Sequence, residues 1–219
     1  MEKKLTKALF LTSLFALFTL LIKIVDVKAI GPGGSKVGFA AINGAVSRLL
    51  GFKTFMYMFS QICGYAAFLV IGLYALVGFL QLLKRKKLLK VDSDILILGC
   101  FYIAVGFLYI FFNKVIMNFR PVIIDPAEGL EASYPSSHTV LSLCVFLSAV
   151  RLEENGRNGG NQLYKTCLKV MALLLLISRL LSGCHWFTDI IGGCLLSAAL
   201  LAFFDWALEK YCPVSRKKS

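Results

Sequence analysis

Histidine and acidic residues are scarce in this chain. Aspartate and glutamate together number 12 against 24 lysines and arginines, and two histidines occur in 219 residues. Charged residues make up only 16%, where a soluble domain carries about a quarter. No Cys-x-x-Cys pair and no Cys/His cluster is present, so the sequence offers no zinc site and calls for no metal or cofactor. Of the seven cysteines, Cys63, Cys100, Cys144, Cys167 and Cys194 lie in apolar runs, where cysteine packs as a small apolar residue rather than joining a disulfide framework. There is no internal repeat, no low-complexity tract and no second domain. Residues 1–219 read as one unit.

What is abundant is apolar residues, 58% of the chain, gathered in long uninterrupted runs. About 20 such residues span a bilayer. Six spans are predicted, at Leu5–Val25, Phe55–Leu83, Ile95–Phe112, His138–Leu152, Leu163–Leu181 and Trp186–Leu208. The fourth is short for a crossing, so its start is expected to be set by the turn at Pro135–His138. The expected architecture is an all-α, polytopic six-transmembrane-helix bundle. Gly31-Pro32-Gly33-Gly34 breaks the chain after the first span, and Phe39, Ile42, Val46 and Leu49 then recur at helical spacing. A short interfacial helix is expected there, in the first outer loop.

The net charge of +12 raises the question of nucleic acid, which the distribution of charge excludes. Basic residues collect at span ends, where they orient a membrane protein and meet anionic lipids. With the N-terminus inside, the inner segments hold Lys3, Lys4, Lys7, Lys84, Arg85, Lys86, Lys87, Lys90, Arg151, Arg157, Lys165, Lys210, Arg216, Lys217 and Lys218, which is most of the 24. The outer segments hold Lys28, Lys36, Arg48, Lys53, Lys114, Arg120 and Arg179. This bias predicts a cell-membrane protein with cytoplasmic termini. Glu153–Asn161, with Asn155-Gly156 and Gly159-Gly160, reads as a solvated inner turn.

Polar residues near a membrane are costly, so their concentration is informative. Three windows stand out: Lys114–Pro121, Tyr134–His138, and Ser178-Arg179 with His185 and Asp189. The charge-derived topology puts all three on the outer side, and both histidines fall inside them. Lys114, Arg120 and Arg179 are three cations suited to a phosphate, arginine especially for its planar fork. Ser136 and Ser137 precede an apolar helix, whose free N–H groups and dipole favour an anion. His185 and Asp189 stand four apart, so Asp189 is expected to hydrogen-bond one imidazole nitrogen and leave the other as a nucleophile. His138 is left to protonate a departing oxygen. Glu131 and Asp125 read as solvated loop residues. Any one feature alone has a structural explanation, but their convergence on one face does not.

At these residues the sequence resembles the type 2 phosphatidic acid phosphatase superfamily, which also includes vanadium haloperoxidases. The resemblance rests on Lys114 with Arg120-Pro121, on Pro135-Ser136-Ser137-His138, and on Ser178-Arg179 followed at family spacing by His185 and Asp189. It implies a metal-independent mechanism in which His185 attacks phosphorus, His138 serves as acid and then base, and Asp189 orients His185. Lys114, Arg120, Ser136 and Arg179 would hold the phosphoryl oxygens, with Ser137 beside them. The implied substrate is a lipid phosphate or diphosphate such as undecaprenyl diphosphate, phosphatidylglycerol phosphate or phosphatidic acid. A lipid phosphotransferase, and a non-enzymatic lipid transporter or scaffold, remain as other readings, and no oligomeric state is implied. The chain departs from the family twice. Five residues, not six, separate Lys114 from Arg120, and Ser137 stands at a glycine position. If that position needs a positive φ, serine adopts it at a cost.

Overall fold

The computed structural model describes residues 1–156 and 160–212. Arg157, Arg216, Lys217, Lys218 and part of the turn expected at Glu153–Asn161 lie outside the described residues. The described chain forms seven α-helices: α1 (Glu2–Ile24), α2 (Ala40–Leu50), α3 (Thr54–Arg85), α4 (Ser93–Lys114), α5 (Ser137–Asn155), α6 (Gln162–Leu181) and α7 (Phe187–Tyr211). α1, α3, α4 and α7 are each long and apolar enough to cross a membrane. α5 and α6, with 19 and 20 residues, complete the six-helix bundle. The first span starts at Glu2 rather than Leu5, and the fourth begins at Ser137, where the polar turn ends.

α5 is the central helix. It packs against α3, α4, α6 and α7 and buries a run from Thr139 to Leu152. This explains its modest hydropathy, because Ser142 and Ser148 face other helices rather than lipid. α1 lies along α7, and Met1 and Lys4 at its start meet Glu209 near the end of α7 at 3.0 and 3.1 Å. Arg151 of α5 meets Asp205 of α7 at 2.6 Å near the same end. Solvent-accessible ion pairs of this kind add little stability, but they hold the start of α1 beside the end of α7.

The breaker after α1 is a tight hairpin. Lys28 and Val37 exchange backbone hydrogen bonds around the glycine turn, and Asp26 accepts the N–H of Ala41 at the start of α2 (2.7 Å), where a carboxylate suits the helix dipole. α2 is the short helix expected in the first outer loop, and its faces are informative. Ile42 and Leu49 point away from the protein, while Asn43 and Gly44 are buried. Ile42 and Leu49 therefore face the surroundings, as on a helix lying in a membrane interface, while Phe39 just before the helix stacks on Phe18 of α1. Asn43 bolts it inward: the side chain donates to Gly38 O (2.8 Å) and Thr188 Oγ1 (2.9 Å) and accepts from Thr188 N (3.1 Å). Thr188 lies in the first turn of α7, beside the residues of interest.

Candidate active site

Six alternating helices bring the end of α4, the start of α5, the end of α6 and the start of α7 to one end of the bundle. The connection from α6 to α7 turns at Gly183, which has φ +67°. A Cβ there would sit 2.0 Å from Gly51 O, so the two loops meet backbone to backbone, and Lys53 N donates to Ser182 O nearby (2.9 Å). The α4–α5 loop is closed at its base by pairing of Phe119 with Ala132. Ser133 N donates to Asn118 O and Ser136 N to Asp189 O. Gly192 lets this loop sit on α7, because a Cβ there would fall 2.2 Å from the Tyr134 ring.

Asp189 is fully buried in the first turn of α7 and accepts three hydrogen bonds. Trp186 N donates to Oδ2 (2.9 Å), Asn118 Nδ2 to Oδ1 (3.0 Å), and Ser133 Oγ to Oδ2 (2.5 Å). The expected direct bond to His185 is not formed: His185 Nδ1 lies 3.7 Å from Oδ2 and instead meets Ser133 Oγ at 3.0 Å. The reason is local. α7 starts at Phe187, so His185 precedes the helix and the four-residue spacing does not stack the two side chains.

His185 Nε2 is buried and has no hydrogen-bond partner. Burial, and then the nearby charges of Arg179 and Arg120, hold the imidazole well below its ordinary pKa. The ring is therefore neutral at neutral pH, and its Nε2 engages no partner.

Arg179 is buried in the last turn of α6, 1% exposed, and forms no ion pair with a carboxylate among the described residues. Its guanidinium donates to Ser60 Oγ (2.8 Å), Gln61 Oε1 (3.5 Å) and His138 Nδ1 (2.8 Å), and it lies 5.5 Å from the centre of the Tyr57 ring. Since arginine only donates, Nδ1 of His138 is the acceptor and Nε2 carries the hydrogen of the neutral ring. Gly64 of α3 makes room for that ring, since a Cβ there would stand 3.1 Å from Cδ2.

Arg120 pairs with Glu131 at 3.2 Å, which corrects the reading of Glu131 as a solvated loop residue. Ser136 is buried at the start of α5, but its hydroxyl accepts from Thr139 (2.9 Å) instead of capping the helix. The first-turn N–H groups of α5 thus have no side-chain cap. Ser137 is the first residue of that helix and is not among the non-glycine residues with positive φ, so it carries no backbone strain. It lines an open groove between α4, α5 and α7, together with Leu108, Tyr109, Phe112, Val140 and Leu196. Lys114 ends α4 and is exposed at the rim.

The structure thus gathers His138, His185, Asp189, Arg120, Arg179 and Ser136, and leaves Lys114 outside the cluster. Four polar contributors had no place among the sequence candidates: Ser133, Asn118, Ser60 and Gln61. The last two are adjacent polar residues inside the apolar run of α3, and polar residues at such depth signal partners. Ser133 stands two residues before Pro135, inside a polar stretch, but nothing in spacing joins it to His185.

No curated protein matches the sequence at a significant level. Among solved structures, the chain is similar to a transmembrane PAP2-type phosphatidylglycerolphosphate phosphatase from Bacillus subtilis. The two are 20% identical, with a TM-score of 0.64 over 94% of this chain and 97% of that one. At that identity the likeness speaks for the fold. The family model of the PAP2 superfamily matches residues 94–211, over half of the chain and all three polar windows, and the chain belongs to that superfamily.

Proposed function

We propose that this protein is a membrane lipid phosphatase that works through a phosphohistidine on His185. One observation carries the reading: a buried guanidinium, Arg179, has no carboxylate partner among the described residues, and the neighbouring buried imidazole of His185 has an unpartnered Nε2. A buried charge is normally paired. A phosphoryl group supplies the missing anion and a phosphorus atom for the free lone pair.

In this reading Nε2 of His185 attacks phosphorus and the bond to the lipid oxygen breaks. Once the bound phosphoryl group draws the Arg179 guanidinium off Nδ1, His138 takes up a proton there; as the imidazolium it gives a proton to the leaving oxygen and becomes neutral, then takes one from the water that hydrolyses the phosphohistidine. Asp189 orients His185. Arg179, Arg120, Ser136 with Ser137 at the uncapped start of α5, and Lys114 from the rim hold the phosphoryl oxygens, an arrangement suited to charge developing in phosphoryl transfer. The apolar groove beside Ser137 suits a lipid chain. Substrates to test are phosphatidylglycerol phosphate, phosphatidic acid and undecaprenyl diphosphate.

Purified protein in lipid vesicles is expected to release inorganic phosphate from at least one of these, and to do so equally in excess EDTA, since side chains supply every step. Label passing to a second lipid instead of water would make the protein a phosphotransferase. Failure across the panel, or lipid movement untouched by loss of either histidine, would favour a transporter or scaffold.

The proposed orientation has cytoplasmic termini and an extracytoplasmic site in the cell membrane. In a cysteine-free background, a cysteine at Glu128 is expected to react with an impermeant maleimide on intact cells, and one at Lys87 only after permeabilisation. The opposite pattern would invert the orientation.

A further inference from the structure

Asp189 and His185 are too far apart for a hydrogen bond, 3.7 Å, yet both touch one hydroxyl. Ser133 Oγ has a single hydrogen. Asp189, which already accepts from Asn118 and Trp186 N, has only acceptors to offer as a carboxylate, so that hydrogen goes to Oδ2. Toward His185, Oγ can then act only as an acceptor, and Nδ1 of the neutral ring must carry its hydrogen. That assignment leaves Nε2 as the bare lone pair, and Nε2 is the nitrogen with no partner. The chain of donors runs in one direction, from Nδ1–H to Ser133 and from Ser133 to Asp189.

We propose that Ser133 is a positioning residue that carries the hold of Asp189 to His185, fixing the imidazole as the Nδ1–H tautomer with Nε2 free. The proposal rests on the phosphohistidine reading for its consequence, but its geometry stands on the hydrogen bonds. All three residues are buried, so water does not substitute for the hydroxyl without opening the site. Asn118 fixes the other oxygen of Asp189 and keeps Oδ2 facing the serine.

The test exploits the scarcity of histidine. In protein labelled with ¹⁵N-histidine only His138 and His185 contribute ring signals, and a His138→Ala sample assigns them. At neutral pH, His185 is expected to show a protonated Nδ1 and an unprotonated Nε2. Ser133→Ala is expected to shift it toward the other tautomer or a mixture, and to slow phosphoenzyme formation about 10–100-fold, as loss of the groups that orient metal-bound imidazoles does. KM should stay within about 3-fold, because the loss falls on a step after binding. Ser133→Thr, which keeps the hydroxyl, is expected to recover most of the rate. A protonated Nε2 in the unsubstituted protein overturns the proposal, and so does a His185 spectrum unchanged by Ser133→Ala. Should Ser133→Ala not fold, Ser133→Cys, whose thiol is a much weaker hydrogen-bonding group, takes its place in the same comparison. The expected spectra in a protein that forms no phosphoenzyme with any lipid would uphold the link and overturn the proposed function instead.

Discussion

In His185→Ala, phosphoenzyme is expected to vanish and turnover to fall by about 10⁶-fold, the loss seen when a covalent nucleophile is removed. The reaction is then left with binding and the cationic site alone. Rapid quench into alkali, where a phosphorus–nitrogen bond survives, followed by counting of labelled protein, measures it. His138→Ala provides the contrast. Loss of a general acid costs about 10²–10⁴-fold, and only in proportion to how badly the leaving group needs a proton. A diphosphate or a nitrophenyl phosphate should keep more activity in His138→Ala than a lipid monophosphate, whereas in His185→Ala all should fall together. Equal sensitivity of the two variants to leaving-group acidity would reverse the assignment. The pH profile follows from the same environment. Because the pKa of His185 lies well below the usual imidazole value, protonation of the nucleophile stops phosphoenzyme formation only on acidification to well below about 6.5.

Arg179→Met is expected to lower kcat by about 10³-fold or more while leaving thermal stability unchanged or raised. Removing one preorganised donor to a developing oxyanion costs about 10²–10³-fold, and this side chain offers several together with its charge. The stability arm runs the other way. A buried charge without an ionic partner carries a desolvation penalty, and an apolar side chain of similar volume removes it. Activity falling while the melting temperature holds marks a residue kept for binding an anion. A melting temperature that drops with the activity would make Arg179 a structural strut between α3 and α6. Arg179→Lys should not rescue, since an ammonium cannot reach Ser60, Gln61 and His138 in one plane.

The helices were legible because bilayer-length apolar runs leave few alternatives, and α2 because its apolar period survives a change of environment. Its orientation was not: the periodicity reports a stripe, and only the buried Asn43 and the Phe39–Phe18 stack show that Ile42 and Leu49 are the part that faces outward. Within the site, the cations and histidines were visible as costly residues at span ends. The links between them were not, because they join distant segments. Ser133 reaches His185 across 52 positions, and Arg179 reaches Ser60 across 119. The direct His185–Asp189 bond that a four-residue spacing implies does not form, because the helix begins two residues after His185. Glu131 was misread because the Phe119–Ala132 pairing, which folds the loop back on Arg120, has no signature in composition.

The backbone contact between Gly183 and Gly51 has a consequence for anyone redesigning this enzyme. The carbonyl at Gly51 sits where a side chain on Gly183 would begin, so no residue larger than glycine enters that turn without parting the α6–α7 connection from the loop before α3. The positive φ at Gly183 adds a second objection to any replacement. A mutational library spent there would return mostly unfolded or misassembled protein. Diversity is better placed along the open groove, at positions such as Tyr109, whose exposed side chain borders space rather than main chain.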